Sequence, residues 1–151
     1  MGAAFLGCLK LKELNTTNWF PDLVKQFTNC FAYCESLKEL DLSNWAPSPY
    51  YSQNMFYGCK NLITLKLNKW NNQDNLYVGN MFTGCTSLYE FYLGPDFFHI
   101  AYGDDTTLDF SSITQWTDSS LKYSLYDNLY NRAAGGYTHA APIIVSLTTY
   151  R

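Results

Sequence analysis

Apolar and polar residues alternate over two short stretches, Glu39-Leu40-Asp41-Leu42-Ser43 and Thr64-Leu65-Lys66-Leu67-Asn68. A period of two is the mark of a strand with one face turned to a core. The residues ahead of these stretches follow another rule. Phe27, Cys30, Phe31 and Cys34 fall at i, i+3, i+4 and i+7, the spacing of one face of a short helix. Met55, Phe56 and Cys59 repeat part of it, as do Met81, Phe82 and Cys85. This predicts one or two helical turns before each strand. Gly58 and Gly84 stand just before a cysteine, where a helix stop would call for a positive φ.

The two patterns recur together. Cys8, Cys34, Cys59 and Cys85 are separated by 26, 25 and 26 residues. Three residues before each lies Phe5, Phe31, Phe56 or Phe82, and three after lies Leu11, Leu37, Leu62 or Leu88. Six after come Leu14, Leu40, Leu65 and Phe91, and eight after come Thr16, Leu42, Leu67 and Leu93. Eleven after come Trp19, Trp45 and Trp70, with Asp96 breaking the column. A unit of this size cannot bury its own apolar face, so its stability must come from stacking on copies of itself. The strands of stacked units would pair in parallel at a spacing of roughly 4.8 Å.

Residues 98–116 are less regular. Leu108-Asp109-Phe110-Ser111-Ser112-Ile113 with Trp116 reads as a degenerate fifth strand and its Trp loop. Leu121, Leu125, Tyr126 and Leu129 predict an amphipathic helix over 118–131, N-capped by Thr117 or Asp118. Ala133-Ala134-Gly135-Gly136 ends it, and Ile143-Ile144-Val145-Ser146-Leu147 reads as a last strand. A stack of repeats exposes strand edge and core at its end, and a helix–strand segment placed there would cap it. The division is thus 4–97 for four repeat units and 98–151 for a degenerate fifth coil with a capping segment. No comparable cap precedes the first unit and Arg151 follows closely on a strand, which reads as a piece of a longer protein.

Met55-Phe56-Tyr57-Gly58-Cys59-Lys60-Asn61-Leu62 and Leu40-Asp41-Leu42-Ser43-Asn44-Trp45 resemble the BspA-type leucine-rich repeat. The resemblance covers residues 4 to about 97. It implies an α/β fold, a right-handed leucine-rich-repeat solenoid of four to five coils with short parallel strands and a C-terminal helix–strand cap. It also implies a bacterial surface or secreted module for protein recognition or adhesion, outside the cell, with no catalytic residues to carry over. Thr16 in place of Leu, Tyr33 in place of Gly, and Gly94-Pro95-Asp96 in the fourth unit depart from the pattern. A structural or receptor-binding module of a phage or secretion-machine fibre is the second reading. Carbohydrate binding is the third, prompted by 18% aromatic residues.

Charge narrows the partners. The formal net charge is −3 with 15% charged residues, which lacks the clustered Lys and Arg of a nucleic-acid footprint and the polybasic stretch of a membrane-surface binder. No apolar run approaches a membrane span. Phe5-Leu6-Gly7-Cys8 has the letters of a lipoprotein processing site, but too few residues precede it and none is basic. Leu6 stands where a myristoylation signal wants Ser or Thr. The expected partner is therefore a protein: host matrix, another cell or the rest of the chain's own assembly.

Chemistry is sparse. Four of the five cysteines occupy one core column, and Cys30 takes the place of Met55 and Met81. This reads as a ladder of buried thiols in preference to a disulfide framework or a metal site. Cys30-x3-Cys34 with no His nearby is a poor zinc signal. His99 and His139 stand apart in loop-like sequence, as does Asp104-Asp105, and no phosphate loop appears. No catalytic residue, cofactor or metal ligand is expected. The Trp and Phe columns read as packing. The binding candidates are the outward strand positions Glu39, Asp41, Ser43, Thr64, Lys66, Asn68, Glu90 and Tyr92, continuing a row begun by Glu13, Asn15 and Thr17. A second set is the tyrosines of Pro49-Tyr50-Tyr51 with Tyr57 and Tyr77, since Tyr offers a large contact area at low entropic cost.

Overall fold

The computed structural model of the chain describes residues 1–71, 77–88, 90–93 and 143–146. Four strands form one sheet in chain order: β1 (Glu39–Asp41), β2 (Thr64–Leu67), β3 (Glu90–Leu93) and β4 (Ile143–Ser146). β1, β2 and β3 run parallel, with Leu40 opposite Leu65 and Leu65 opposite Phe91. The residues six after each cysteine are thus in register, as the repeat requires. Leu40, Leu65 and Phe91 are buried, while Glu39 and Asp41 between and beside them are exposed. β4 pairs antiparallel with β3, Ile144 opposite Tyr92. It is the strand read from Ile143–Leu147. The degenerate fifth strand, the helix over 118–131, Gly94-Pro95-Asp96, His99, Asp104-Asp105 and His139 lie outside the described residues.

The stretch before each cysteine departs from expectation. Among the described residues there is no α-helix. A string of tight turns takes its place, with two positive-φ residues per unit, five and one before the cysteine. The first set is Ala3, Asn29, Asn54 and Asn80 at φ 54 to 56°, and the second is Gly7, Tyr33, Gly58 and Gly84 at 60 to 82°. A left-handed residue every four positions is incompatible with a right-handed helix. The i, i+3, i+4 burial pattern survives because each turn closes an i→i−3 bond: Cys30 N–H to Phe27 O, Ala32 to Asn29, Cys34 to Phe31 and Leu37 to Cys34.

The intervening amides bind the next unit. Asn29, Phe31 and Tyr33 donate to the carbonyls of Gln53, Met55 and Tyr57. Asn54, Phe56 and Gly58 donate to Gly79, Met81 and Thr83. Ala3, Phe5 and Gly7 do the same to Thr28, Cys30 and Ala32. Backbone amides therefore alternate between closing a turn and tying one unit to the next, and this stretch keeps its buried donors satisfied without a helix.

The core fills the space between turns and strands. Phe5, Phe31, Phe56 and Phe82 stack with ring centroids 5.1, 5.9 and 5.8 Å apart. Trp45 and Trp70 are fully buried against Phe27, which makes the Trp column a packing column. Trp19, in the first unit, stacks on Trp45 yet is 38% exposed. The first unit forms no strand at its Leu14–Thr16 stretch. Where Leu42 sends its amide to Lys66 O, it is the Thr16 hydroxyl that reaches the equivalent Asp41 O, at 2.6 Å. The Leu-to-Thr departure at this column therefore buries a polar group that finds its partner in the neighbouring unit.

Candidate interaction face

All five cysteines are free, and all but Cys8 are fully buried. Each buried column thiol donates to the phenylalanine carbonyl of the unit before it. Cys34 Sγ lies 3.2 Å from Phe5 O, Cys59 Sγ 3.1 Å from Phe31 O, and Cys85 Sγ 3.1 Å from Phe56 O. The same carbonyls accept the amides of Cys8, Cys34 and Cys59, so both lone pairs are used. Burial pushes the Cys34 thiol up to about 11 and those of Cys30 and Cys85 up to about 12, and it raises Cys59 as well. Neutral, buried and hydrogen-bonded, these thiols are structural donors with little nucleophilic character.

The strand side presents a different surface. Asp41, Lys66 and Tyr92 stand opposite one another across β1, β2 and β3. Lys66 Nζ sits 2.9 Å from Asp41 Oδ2 and 5.8 Å from the centre of the Tyr92 ring. Partial burial pushes the Asp41 carboxyl up, but the Ser43 hydroxyl and amide and the Lys66 ammonium outweigh it and hold the group below the usual carboxylate range. The hydrogen bond and charge of Asp41 raise Lys66 in turn. Both groups stay charged across the neutral range. The row beside them is Glu39, Thr64 and Glu90 in register, where Thr64 Oγ1 and Tyr92 OH approach one Glu90 oxygen at 3.4 and 3.5 Å.

Ser43 follows β1, and its amide closes a turn onto Asp41 Oδ1 at 3.0 Å. Thr17 closes the same turn onto Asn15 one unit earlier, also at 3.0 Å. Such side-chain turns suit Asp and Asn two residues before a donor amide. Between them lies a small polar cavity of about 150 Å³, bordered by Asn15, Thr16, Thr17, Asp41, Ser43 and Asn44. Asn44 was not singled out in the sequence, because the column it occupies has no fixed chemistry. Asn68, just past β2, turns its Oδ1 inward, where it is buried without a hydrogen-bond partner, as are the indole nitrogens of Trp45 and Trp70. Asn68 is therefore only half-buried at the margin of the face, whereas Glu39, Asp41, Thr64, Lys66, Glu90 and Tyr92 lie together on it.

The tyrosines separate into two places. Tyr51 forms parallel bridges to Gln26 on one side and to Tyr77 on the other, and the Tyr51 and Tyr77 rings stack at 5.4 Å. Tyr33 meets Tyr57 edge-on at 5.4 Å and lies over Gly58. Lys25 sits 5.2 Å from the Tyr50 ring centre. None of these rings lies on the strand face. Among the described residues, no group of three or more His, Cys, Asp or Glu side chains converges in a way that could hold a metal ion, and no helix is long and apolar enough to cross a membrane.

The units are thus tied through alternate turn amides around a shared Phe–Cys–Leu core, and the second, third and fourth each add one short parallel strand in step with the repeat. No curated protein and no solved structure matches the chain. A family model, the BspA type leucine rich repeat region, matches residues 2–131 in six copies, reaching past residue 97 into the less regular segment. The chain belongs to the BspA-type leucine-rich repeat family.

Proposed function

We propose that the chain is a non-catalytic recognition module of a bacterial surface or secreted protein, binding a protein ligand through its strand face. Repeats of this kind commonly mediate protein interaction, and the family is typically surface-associated in bacteria. The contact residues in this reading are Glu39, Asp41, Ser43, Thr64, Lys66, Asn68, Glu90 and Tyr92. The observation that carries it is the row Asp41–Lys66–Tyr92, held in register with a 2.9 Å ion pair and a cation over a ring. A charged pair set opposite by the strand register, next to a half-buried aromatic whose hydroxyl reaches Glu90, gives specificity at little entropic cost. The architecture that goes with this reading is a right-handed solenoid closed by a helix–strand cap. Support for the cap is β4, lying antiparallel along the edge of β3.

The test is a binding screen of the purified chain against arrayed matrix proteins. A heat-unfolded sample and the Asp41→Ala/Lys66→Ala double variant serve as controls, with circular dichroism to show that the variant is folded. A hit lost in both controls supports the strand face as the recognition surface. A hit kept by the folded double variant moves the contact elsewhere. A blank across the array shifts the reading to a structural part of a larger fibre.

A further inference from the structure

Among the described residues, a groove lies outside both the core and the strand face. It lies at the corner where the turns enter the strands, has a volume of about 360 Å³, and is lined by Lys12, Ser36, Lys38 and Asn61. Lys12 and Lys38 occupy the same position, four after the cysteine, in adjacent units. Asn61 comes from the third unit, so three successive units each contribute a donor.

The polar groups here are already oriented. Ser36 donates its hydroxyl to Leu9 O at 2.5 Å, and Asn61 Nδ2 donates to Glu35 O at 2.7 Å. Each spends one hydrogen on holding its place, and Asn61 keeps a second N–H. The lysines are not neutralised. The ion pairs among the described residues are Lys60–Glu35 and Lys66–Asp41, and neither involves Lys12 or Lys38. The flanks are apolar. Leu9, whose carbonyl Ser36 holds, is 54% exposed, and Ile63, whose amide binds Lys38 O, is 40% exposed. The charge of the corner is opposite to that of the adjoining strand row, where Glu39 and Glu90 stand with Glu13 one unit earlier.

We propose that this corner groove is a second binding site, independent of the strand face, for a sulfated glycan. Lys12, Lys38 and Asn61 would hold the terminal oxygens of one sulfate ester from three sides. The lysine stems, Leu9 and Ile63 would support the C–H face of the sugar ring that carries it. Lysines at equivalent positions of adjacent units, roughly 4.8 Å apart along the stacking axis, are close enough to share one sulfate. They act as point charges and lack the forked geometry that arginine brings to phosphate.

The probe is dextran sulfate, measured by calorimetry against the whole chain at about 50 mM salt, where screening is weak. Neutral dextran and inorganic polyphosphate are the comparison ligands. The wild type binds dextran sulfate and neither comparison ligand, and the affinity falls as salt is raised. Lys12→Gln/Lys38→Gln weakens binding about tenfold, the worth of two exposed ion pairs. Lys69→Gln, which removes one positive charge at an exposed site away from the groove, leaves it unchanged. Circular dichroism of the variants shows that each is folded. Equal binding by the double variant, or an equal loss in Lys69→Gln, overturns the site. Equal binding of polyphosphate overturns the glycan, and no binding of dextran sulfate overturns the proposal as a whole.

Discussion

The turn side and the strand side of each unit are built from the same repeat, but they tolerate change differently. On the strand side, amides donate in both directions: Leu42 forward to Lys66 O, Ile63 and Glu90 backward to Lys38 O and Ile63 O. The outward positions there hold Glu, Asp, Thr, Lys and Tyr without disturbing that ladder. On the turn side, Asn29, Phe31 and Tyr33, like Asn54, Phe56 and Gly58, all donate forward. That geometry needs left-handed residues at two set positions and a thiol at a third. The turn side therefore holds the units together, and the strand side is free to vary. That freedom is why the proposed contact residues are placed on the strand side.

The comparison breaks first if its core positions are wrong. Phe56→Ala, in the middle of the ring stack, is expected to cost about 3–5 kcal/mol in urea unfolding. Leu65→Ala, its counterpart under β2, is expected to cost about 2–5 kcal/mol. A loss below about 1 kcal/mol at either would mean that the buried columns are not the core.

Glycine substitutions sharpen the turn side. Gly7, Gly58 and Gly84 all have positive φ, but an added Cβ meets open space at Gly7, the Tyr33 ring at 2.9 Å at Gly58, and the Gly58 backbone at 3.0 Å at Gly84. Gly7→Ala should then cost only the left-handed conformation, about 1–2 kcal/mol. Gly58→Ala should cost more, and Gly84→Ala most, because a ring can shift and a backbone cannot. In a Tyr33→Ala background the excess at Gly58 should disappear. Equal losses at all three glycines would show that conformation alone matters.

The thiols give a pH test. Their folded values are raised, so the unfolded chain loses its thiol protons first as pH climbs, and stability falls from about pH 9 upward. Each of Cys30, Cys34 and Cys85 contributes at most about 1.4 kcal/mol per pH unit in that window. Melting curves at pH 7 and pH 10 should therefore diverge more for the wild type than for Cys34→Ala. With a thiol reagent, five groups should react in denaturant and only the half-buried Cys8 readily in the native state. The smallest effect belongs to the strand face, where Lys66→Ala should cost under about 1 kcal/mol because its ion pair with Asp41 is exposed to water.

Much of this was legible in the sequence. The columns of Phe, Cys, Leu and Trp located the core, since a side chain recurring at a fixed period must face its own copies. The strand rows followed from a period of two. The turn geometry did not follow, because burial at i, i+3 and i+4 is satisfied equally by a helix and by consecutive i→i−3 turns. The signal that separates them was present: Asn29, Asn54 and Asn80 share a column, and Asn is the non-glycine residue that best accepts a positive φ. The lysine groove was hidden for another reason. Its column runs Lys12, Lys38, Ile63, and only the fold shows that Ser36 and Asn61 come to meet the first two.

The one-way bonding of the turn side has an electrical consequence. The amides of Ala3, Phe5 and Gly7, of Asn29, Phe31 and Tyr33, and of Asn54, Phe56 and Gly58 point along the stacking axis in one sense, and the carbonyls that receive them point in the other. Aligned peptide dipoles add, as they do along an α-helix. Each junction aligns peptide dipoles in the same sense, so the stack is polarised along its length, its negative end toward the earlier units and its positive end toward the later ones. The stacking axis of the turns therefore has a built-in direction, set by the peptide backbone before any side chain takes part.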